Sequence, residues 1–263
     1  MAEETLRIGF AGDRDIAVNV LAHLLKIDVR PVALILPDAD QATDDASLLE
    51  LCERHGESPV VIRARELQRP TAIDTLRALR LDFLICVHFP YLVRRPVLDA
   101  AVKGVLNLHP AYLPYNRGWH TPSWAILDGT PAGASLHFMT EGLDDGDVVH
   151  QEQIAVDPAD TAHTLYLKLK DLELRVFVEG WRRLRQGRVS TTPQPERHAT
   201  FHRRRDLFDA SVQRIELDHV VRASDLLRRL RALTTNRVDE AAYFEAGDRR
   251  YRVQVTITPE GQA

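Results

Sequence analysis

Gly104-Val-Leu-Asn-Leu-His-Pro-Ala-Tyr-Leu-Pro-Tyr-Asn-Arg-Gly118 is the stretch on which the reading of the whole chain turns. Val105, Leu106 and Leu108 are apolar, as a strand buried on both faces requires. Asn107 and His109 stand two positions apart, and alternate side chains of a strand share a face. Pro110 has no N–H to give to a ladder, so the strand ends before it. An amide and an imidazole therefore reach one pocket at the end of a buried strand. Histidine accepts a proton near neutral pH, and an amide N–H holds a developing oxyanion, so the pair suits acyl chemistry. A carboxylate is the usual orienting partner of such a histidine. The later turn Leu143-Asp144-Asp145-Gly146-Asp147 offers Asp144 as the candidate, with Asp145 and Asp147 as competitors.

Working outward, strand and helix patterns alternate. Leu6–Ala11 reads as an apolar strand, Gly12–Asp15 as a turn, and Ile16, Val20, Leu21, Leu24 and Leu25 recur at helical spacing. Strands follow at Val29–Leu36, Val60–Ile62 and Leu81–Phe89, with helices near Leu48–His55 and Thr71–Arg80. This alternation predicts a Rossmann-like, mainly parallel sheet flanked by helices, an α/β fold whose ligands bind beyond the carboxyl ends of the strands. Gly9 and Gly12 do not make the Gly-x-Gly-x-x-Gly fingerprint, and no acidic residue ends the second strand, which argues against a dinucleotide. The helix start after Gly12 can still receive a phosphate, with Arg14 assisting.

Beyond Gly118, Trp119-His-Thr-Pro-Ser-Trp124 leads into a helix at Ser123–Leu127, with Trp124 and Ile126 inward. Ala134–Phe138 and Val148–Val156 read as strands bracketing the acidic turn. Asp160-Thr161 opens a long helix with Leu165, Leu169, Leu172, Val176 and Leu184 on one stripe, closed by Gly187. Ser190–Pro195 is a polar connector, which divides the chain into a catalytic domain over 1–192 and a small C-terminal α+β segment over 193–263. In that segment Ser224 caps a helix. Ala242–Glu245 and Arg250–Ile257 form an antiparallel hairpin whose second strand, with Tyr251, Val253, Val255 and Ile257 alternating, buries one face.

With 263 residues and a net charge of -4, the chain has the balance of a soluble globular protein without general attraction to nucleic acid. Cys52 and Cys86 sit in apolar contexts and read as reduced, structural thiols of a cytoplasmic protein. Met1-Ala-Glu-Glu lacks the features of a secretory leader, and no apolar run approaches the ~20 residues of a membrane span. The histidines lack partners at zinc spacing, so no metal is expected.

Asn107-Leu-His109, the loop His109-Pro-Ala-Tyr-Leu-Pro-Tyr-Asn-Arg-Gly118 and the turn Leu143-Asp144-Asp145-Gly146 together resemble the formyltransferase superfamily that uses 10-formyltetrahydrofolate. The resemblance implies a catalytic set of Asn107, His109 and Asp144, the family placing its acidic residue first in Asp-x-Gly. It implies N10-formyltetrahydrofolate as donor, its pterin gripped by the loop Phe89-Pro-Tyr91-Leu92-Val93. Within the superfamily, Gly12–Ala17, Tyr115–Pro122 and Thr200–Leu207 resemble the sugar N-formyltransferases. That branch implies a nucleotide-linked amino sugar as acceptor, with dTDP as the expected carrier, a role in lipopolysaccharide or surface glycan synthesis, and a homodimer made through the C-terminal segment. Arg14, Trp119 and His120 are the expected contacts of the nucleotide sugar, while Arg203–Arg205 reads as a solvated run. Thr234–Asp239 departs from the branch, where a more aromatic, Pro-containing segment is expected. Transfer to another amine, such as methionyl-tRNA, is the alternative.

Overall fold

The computed structural model describes residues 6–187 and 190–261. Met1–Glu4, read as lacking the features of a secretory leader, lies outside the described residues. The chain divides into two compact units, one of Met1–His109, Ser135–His150 and Glu173–Pro193, the other of Pro110–Ala134, Gln151–Leu172 and Gln194–Ala263.

Strand and helix alternate at the start: β1 (Ile8–Gly12), α1 (Arg14–Lys26), β2 (Pro31–Leu36), α2 (Asp45–Arg54), β3 (Val60–Arg63), α3 (Pro70–Ala78), β4 (Phe83–Val87), α4 (Arg95–Leu98) and β5 (Val105–His109). Then come β6 (Arg117–Gly118), α5 (Thr121–Asp128), β7 (Ala132–Phe138), β8 (Val148–Ile154) and α6 (Ala162–Arg185). The seven-stranded sheet runs β3-β2-β1-β4-β5-β7-β8. β1, β2, β3, β4 and β5 pair in parallel, and β5 pairs antiparallel with β7. The strand order reverses between β1 and β4, and in such sheets ligands collect at the carboxyl ends flanking that reversal. β1 and β4 are buried along their whole length, which is why their sequences are unbroken apolar runs.

Several boundaries differ from the sequence reading for local reasons. Val29 lies in the turn between α1 and β2 rather than in β2, its N–H bonding the Leu24 carbonyl. β4 stops at Val87 because His88 turns to φ 50, outside the strand region. Thr192, read within a plain connector, exchanges backbone hydrogen bonds with Val148, each 2.9 Å. In α6, Leu165, Leu169, Leu172 and Val176 of the expected stripe are buried, Leu184 is only half-buried, and Phe177 and Trp181 are buried as well. Both cysteines are buried and unpaired.

The second unit closes around Trp124, Leu207, Leu233 and Ala242. Its later elements are β9 (Phe201–His202), which pairs in parallel with β6, then α7 (Ala210–Gln213), α8 (Ala223–Ala232) and the antiparallel hairpin of β10 (Ala242–Ala246) and β11 (Arg249–Val253). Ser224 does not cap α8: Arg222 holds the cap position and Ser224 lies inside the helix. The hairpin is shorter than expected. Val255 leaves the ladder to bond Thr234 Oγ1 at 3.1 Å, and Tyr251 is 43% exposed although its ring stacks on Phe244. Val253, Val255 and Ile257 are half-buried, so among the described residues the expected face is buried only in part.

Candidate active site

The register of β5 against β7 builds the centre of the site. Asn107 stands opposite His137, and His109 opposite Ser135. Paired residues of an antiparallel ladder share a face, so Asn107, His109, Ser135 and His137 form one polar patch on an otherwise apolar sheet. The turn after β7 then brings back a carboxylate. Asn107 Nδ2 donates to Asp144 Oδ1 at 3.1 Å, and Asp144 Oδ2 lies 3.7 Å from His109 Nε2. That second distance suits attraction between charges and is too long for a hydrogen bond. The side chains of His109 and Asp144 are nearly buried, so little water screens them.

The three acidic residues of the turn differ in their partners. Asp145 accepts from Thr140 Oγ1, and Asp147 accepts from Thr191 Oγ1 at 3.1 Å. Asp144 faces Asn107 and His109. Its backbone is left-handed at φ 48, a conformation aspartate tolerates better than most residues. Gly146 is required by close approach: a Cβ there would lie 2.0 Å from the Phe138 carbonyl oxygen. The turn is thus pressed against the end of β7, which fixes where Asp144 points.

His137 escaped the sequence reading. It is fully buried, its Nε2 lies 3.2 Å from Asn107 Nδ2, and its Nδ1 lies 2.8 Å from the Phe138 carbonyl oxygen. The signal for it was Ser135 and His137 alternating within Ala132–Phe138, but only the antiparallel register with β5 gives that alternation meaning.

The loop after β4 is held from both ends. His88 Nε2 lies 2.7 Å from Oε1 of Glu173, a fully buried carboxylate of α6. Tyr91 donates its hydroxyl to Asp38 Oδ2 at 2.9 Å and accepts from the Asp38 N–H at 3.2 Å. Val93 is buried among Ile73, Leu76 and Val97. Phe89 is half-buried, its ring 5.2 Å from that of Tyr91, and Leu92 is 67% exposed. Anchoring of Tyr91 and Val93 leaves Pro90 and Leu92 as the loop's exposed side chains.

Arg14 is exposed at the start of α1, with φ 68. The preceding Asp13 is buried, and its Oδ1 accepts the N–H groups of Thr43 (2.9 Å) and Asp44 (3.1 Å) instead of capping its own helix.

Trp119 and His120 belong to the second unit. The Arg204 guanidinium lies 5.4 Å from the Trp119 ring centre, a cation–π geometry. His120 packs edge-on to Phe208 and lies 3.8 Å from Glu240 Oε1. Burial holds its imidazole below the usual histidine range, against the opposing pull of Glu240. Arg203, Arg204 and Arg205 are exposed, as read. Among the described residues, no group of three or more His, Cys, Asp or Glu side chains is placed to hold a metal ion, and no helix is long and apolar enough to cross a membrane.

A buried Asn-x-His strand answered by an aspartate turn, on a sheet of this order, is the arrangement of a formyltransferase, and family comparison agrees. Residues 31–180 match the formyl transferase family and residues 208–259 match the N-formyltransferase dimerization C-terminal domain, so the chain belongs to the formyltransferase family.

Among its relatives, the dTDP-4-amino-4,6-dideoxyglucose formyltransferases of Mycobacterium bovis and Mycobacterium tuberculosis are each 29% identical over 210 residues, covering 79% of this chain and 85% of theirs. A sugar N-formyltransferase from Shewanella superposes with a TM-score of 0.81 at 17% identity, over 97% of this chain and 99% of that one. A 4-N formyltransferase from Francisella tularensis gives 0.79 at 19% identity, over 97% and 100%. An N-formyltransferase from Helicobacter canadensis, solved with folinic acid and dTDP-3-aminofucose, gives 0.69 at 20%, over 92% and 85%. These structural likenesses establish the fold.

Proposed function

We propose that this formyltransferase moves the formyl group of N10-formyltetrahydrofolate to the amine of a nucleoside-diphosphate-linked amino sugar, with dTDP as the carrier. The observation that carries the reading is the convergence of Asn107 and Asp144 at 3.1 Å beside His109. The names of the mycobacterial relatives and of the Helicobacter complex support the choice of donor and acceptor.

The sugar amine, neutral, attacks the formyl carbon. A C–N bond forms, the carbonyl π pair moves to oxygen, and an Asn107 N–H steadies the oxyanion. His109 takes the proton that the amine sheds, with Asp144 holding the imidazole and stabilising the charge it acquires. Collapse of the intermediate breaks the bond to N10 of the folate, and that nitrogen leaves with the proton that His109 took up, restoring the neutral imidazole. The products are the formamido sugar and tetrahydrofolate.

Phe89, Tyr91, Leu92 and Val93 are assigned to the donor, whose flat pterin needs backbone donors and acceptors along an apolar wall. Arg14, Trp119 and His120 are assigned to the acceptor, an aromatic surface suiting a base and a cation suiting the diphosphate. The division into a catalytic domain over 1–192 and a C-terminal segment over 193–263, and a cytoplasmic location for the surface-glycan precursor it acts on, belong to the same reading. Incubating the enzyme with N10-formyltetrahydrofolate and a panel of dTDP- and UDP-linked amino sugars, scored by product mass, tests it. Formylation confined to a nucleotide sugar supports the reading, and product only with another amine refutes it.

A further inference from the structure

His137 has no part in the chemistry just described, yet it is a fully buried polar side chain facing the group that must hold the oxyanion. We propose that His137 is a positioning residue. As a neutral imidazole protonated on Nδ1, it retains one N–H of the Asn107 amide, so that the other N–H is the one delivered to the formyl oxygen. The inference rests on the assignment of Asn107 to that oxygen.

Three contacts fix the protons. A carbonyl oxygen only accepts, so His137 Nδ1, 2.8 Å from the Phe138 oxygen, carries hydrogen. A carboxylate only accepts, so the Asn107 atom 3.1 Å from Asp144 Oδ1 is the amide nitrogen and not its oxygen. That nitrogen donates and does not accept, so His137 Nε2, 3.2 Å from it, carries no hydrogen and receives the bond. His137 Nε2 also lies 3.5 Å from Asp144 Oδ1, the longer contact that would hold it if it carried hydrogen.

The consequence concerns how the amide behaves during the reaction. Both Asn107 hydrogens have partners before substrate arrives, one at Asp144 and one at His137. The formyl oxygen must therefore draw a hydrogen away from an existing partner. With Asp144 as sole partner, the amide would lose its orientation at the moment of transfer. With His137 holding the second hydrogen, it stays in plane, and Asp144, relieved of Asn107, still lies 3.7 Å from His109. The backbone imposes this geometry, since Asn107 and His137 are direct partners across the β5–β7 ladder.

Two measurements test the proposal. In the ¹⁵N-histidine NMR spectrum of the wild-type enzyme, His137 is expected as the Nδ1–H tautomer with a bare Nε2; a protonated Nε2, paired with Asp144, overturns the proposal. In steady-state kinetics, H137Q places an amide oxygen where Nε2 stands and is expected to keep kcat within a few-fold. H137N, which reaches only the Nδ1 position, and H137L, which offers no acceptor, are expected to lose kcat on the order of 10²-fold, the cost of about 1 Å of misplacement. KM for donor and acceptor should change little, because the interaction belongs to the transition state. A folded H137L with wild-type kcat, or equal losses in H137Q and H137L, overturns the proposal. Should the variants fail to fold, the wild-type tautomer decides. Should the wild-type enzyme formylate no amino sugar, the functional reading falls while the tautomer still tests His137.

Discussion

Asp144 combines a charge with a left-handed backbone, and the two can be separated by substitution. Asparagine tolerates φ 48 as readily as aspartate does, so Asp144→Asn keeps the turn and an acceptor for Asn107 while removing the charge beside His109. A drop in kcat of about 10²–10⁴-fold is expected with an unchanged unfolding midpoint, by analogy with removal of the orienting charge in a catalytic triad. Retained kcat would remove Asp144 from the mechanism.

Titratable side chains outside the catalytic set also bear on stability. Burial depresses His23, with Lys26 adding to it, and burial also depresses His120 and His202 against the opposing carboxylates of Glu240 and Asp128. Each binds its proton less readily folded than unfolded. Their contribution to stability is therefore complete above the ordinary value of 6.5 and is lost as pH falls from there through the folded values. Urea midpoints are expected to decline on acidification below about pH 6.5, ahead of the carboxylate titrations. A midpoint that rises over that window would contradict the assignment. The thiols of Cys52 and Cys86, pushed up by burial to about 11 and about 12, take no part in this range.

At the scale of elements, the acidic turn is held by its packing against β7. Gly146→Ala would drive a methyl into the Phe138 carbonyl, where the Cβ has only 2.0 Å. The turn must then lift, carrying Asp144 away from Asn107, with an expected loss in kcat on the order of 10²-fold. Steady-state kinetics of the folded variant measures it, and unaltered kcat would show that the turn's position does not matter.

This level also shows what could be read in advance. Asn107 and His109 were legible because a period of two and the stop at Pro110 are local properties. Asp144 was legible through the turn motif, although its preference over Asp145 and Asp147 came from resemblance and is explained by Thr140 and Thr191 occupying the other two. His137 and Glu173 were not legible. One depends on the register of β5 with β7, and the other on α6 packing its fully buried carboxylate against a residue 85 positions away. Local spacing contains neither. The hairpin misled in part for the opposite reason: alternation at Tyr251, Val253, Val255 and Ile257 is a local pattern, but among the described residues Tyr251 stays exposed and the other three are only half-buried.

At the scale of the molecule, such unburied apolar groups fit a chain whose residues 208–259 match a dimerization domain. Leu217 is 61%, Val220 100% and Val221 56% exposed, and apolar side chains exposed close together in a matched dimerization segment are candidates for its contact. The enzyme is expected to sediment at twice its chain mass, and Leu217→Glu with Val221→Glu to shift it to monomer. A variant that remains fully dimeric would place the contact elsewhere in the segment.

The central claim is that an amide at position 107 steadies a formyl oxygen as it passes from a folate to a sugar amine. Single-turnover formation of the formamido sugar from N10-formyltetrahydrofolate, compared between the wild-type enzyme and Asn107→Ala at saturating substrates, tests it most directly. The predicted result is a rate slower by about 10²–10³-fold with little change in substrate binding. An undiminished rate in the alanine variant would contradict the account.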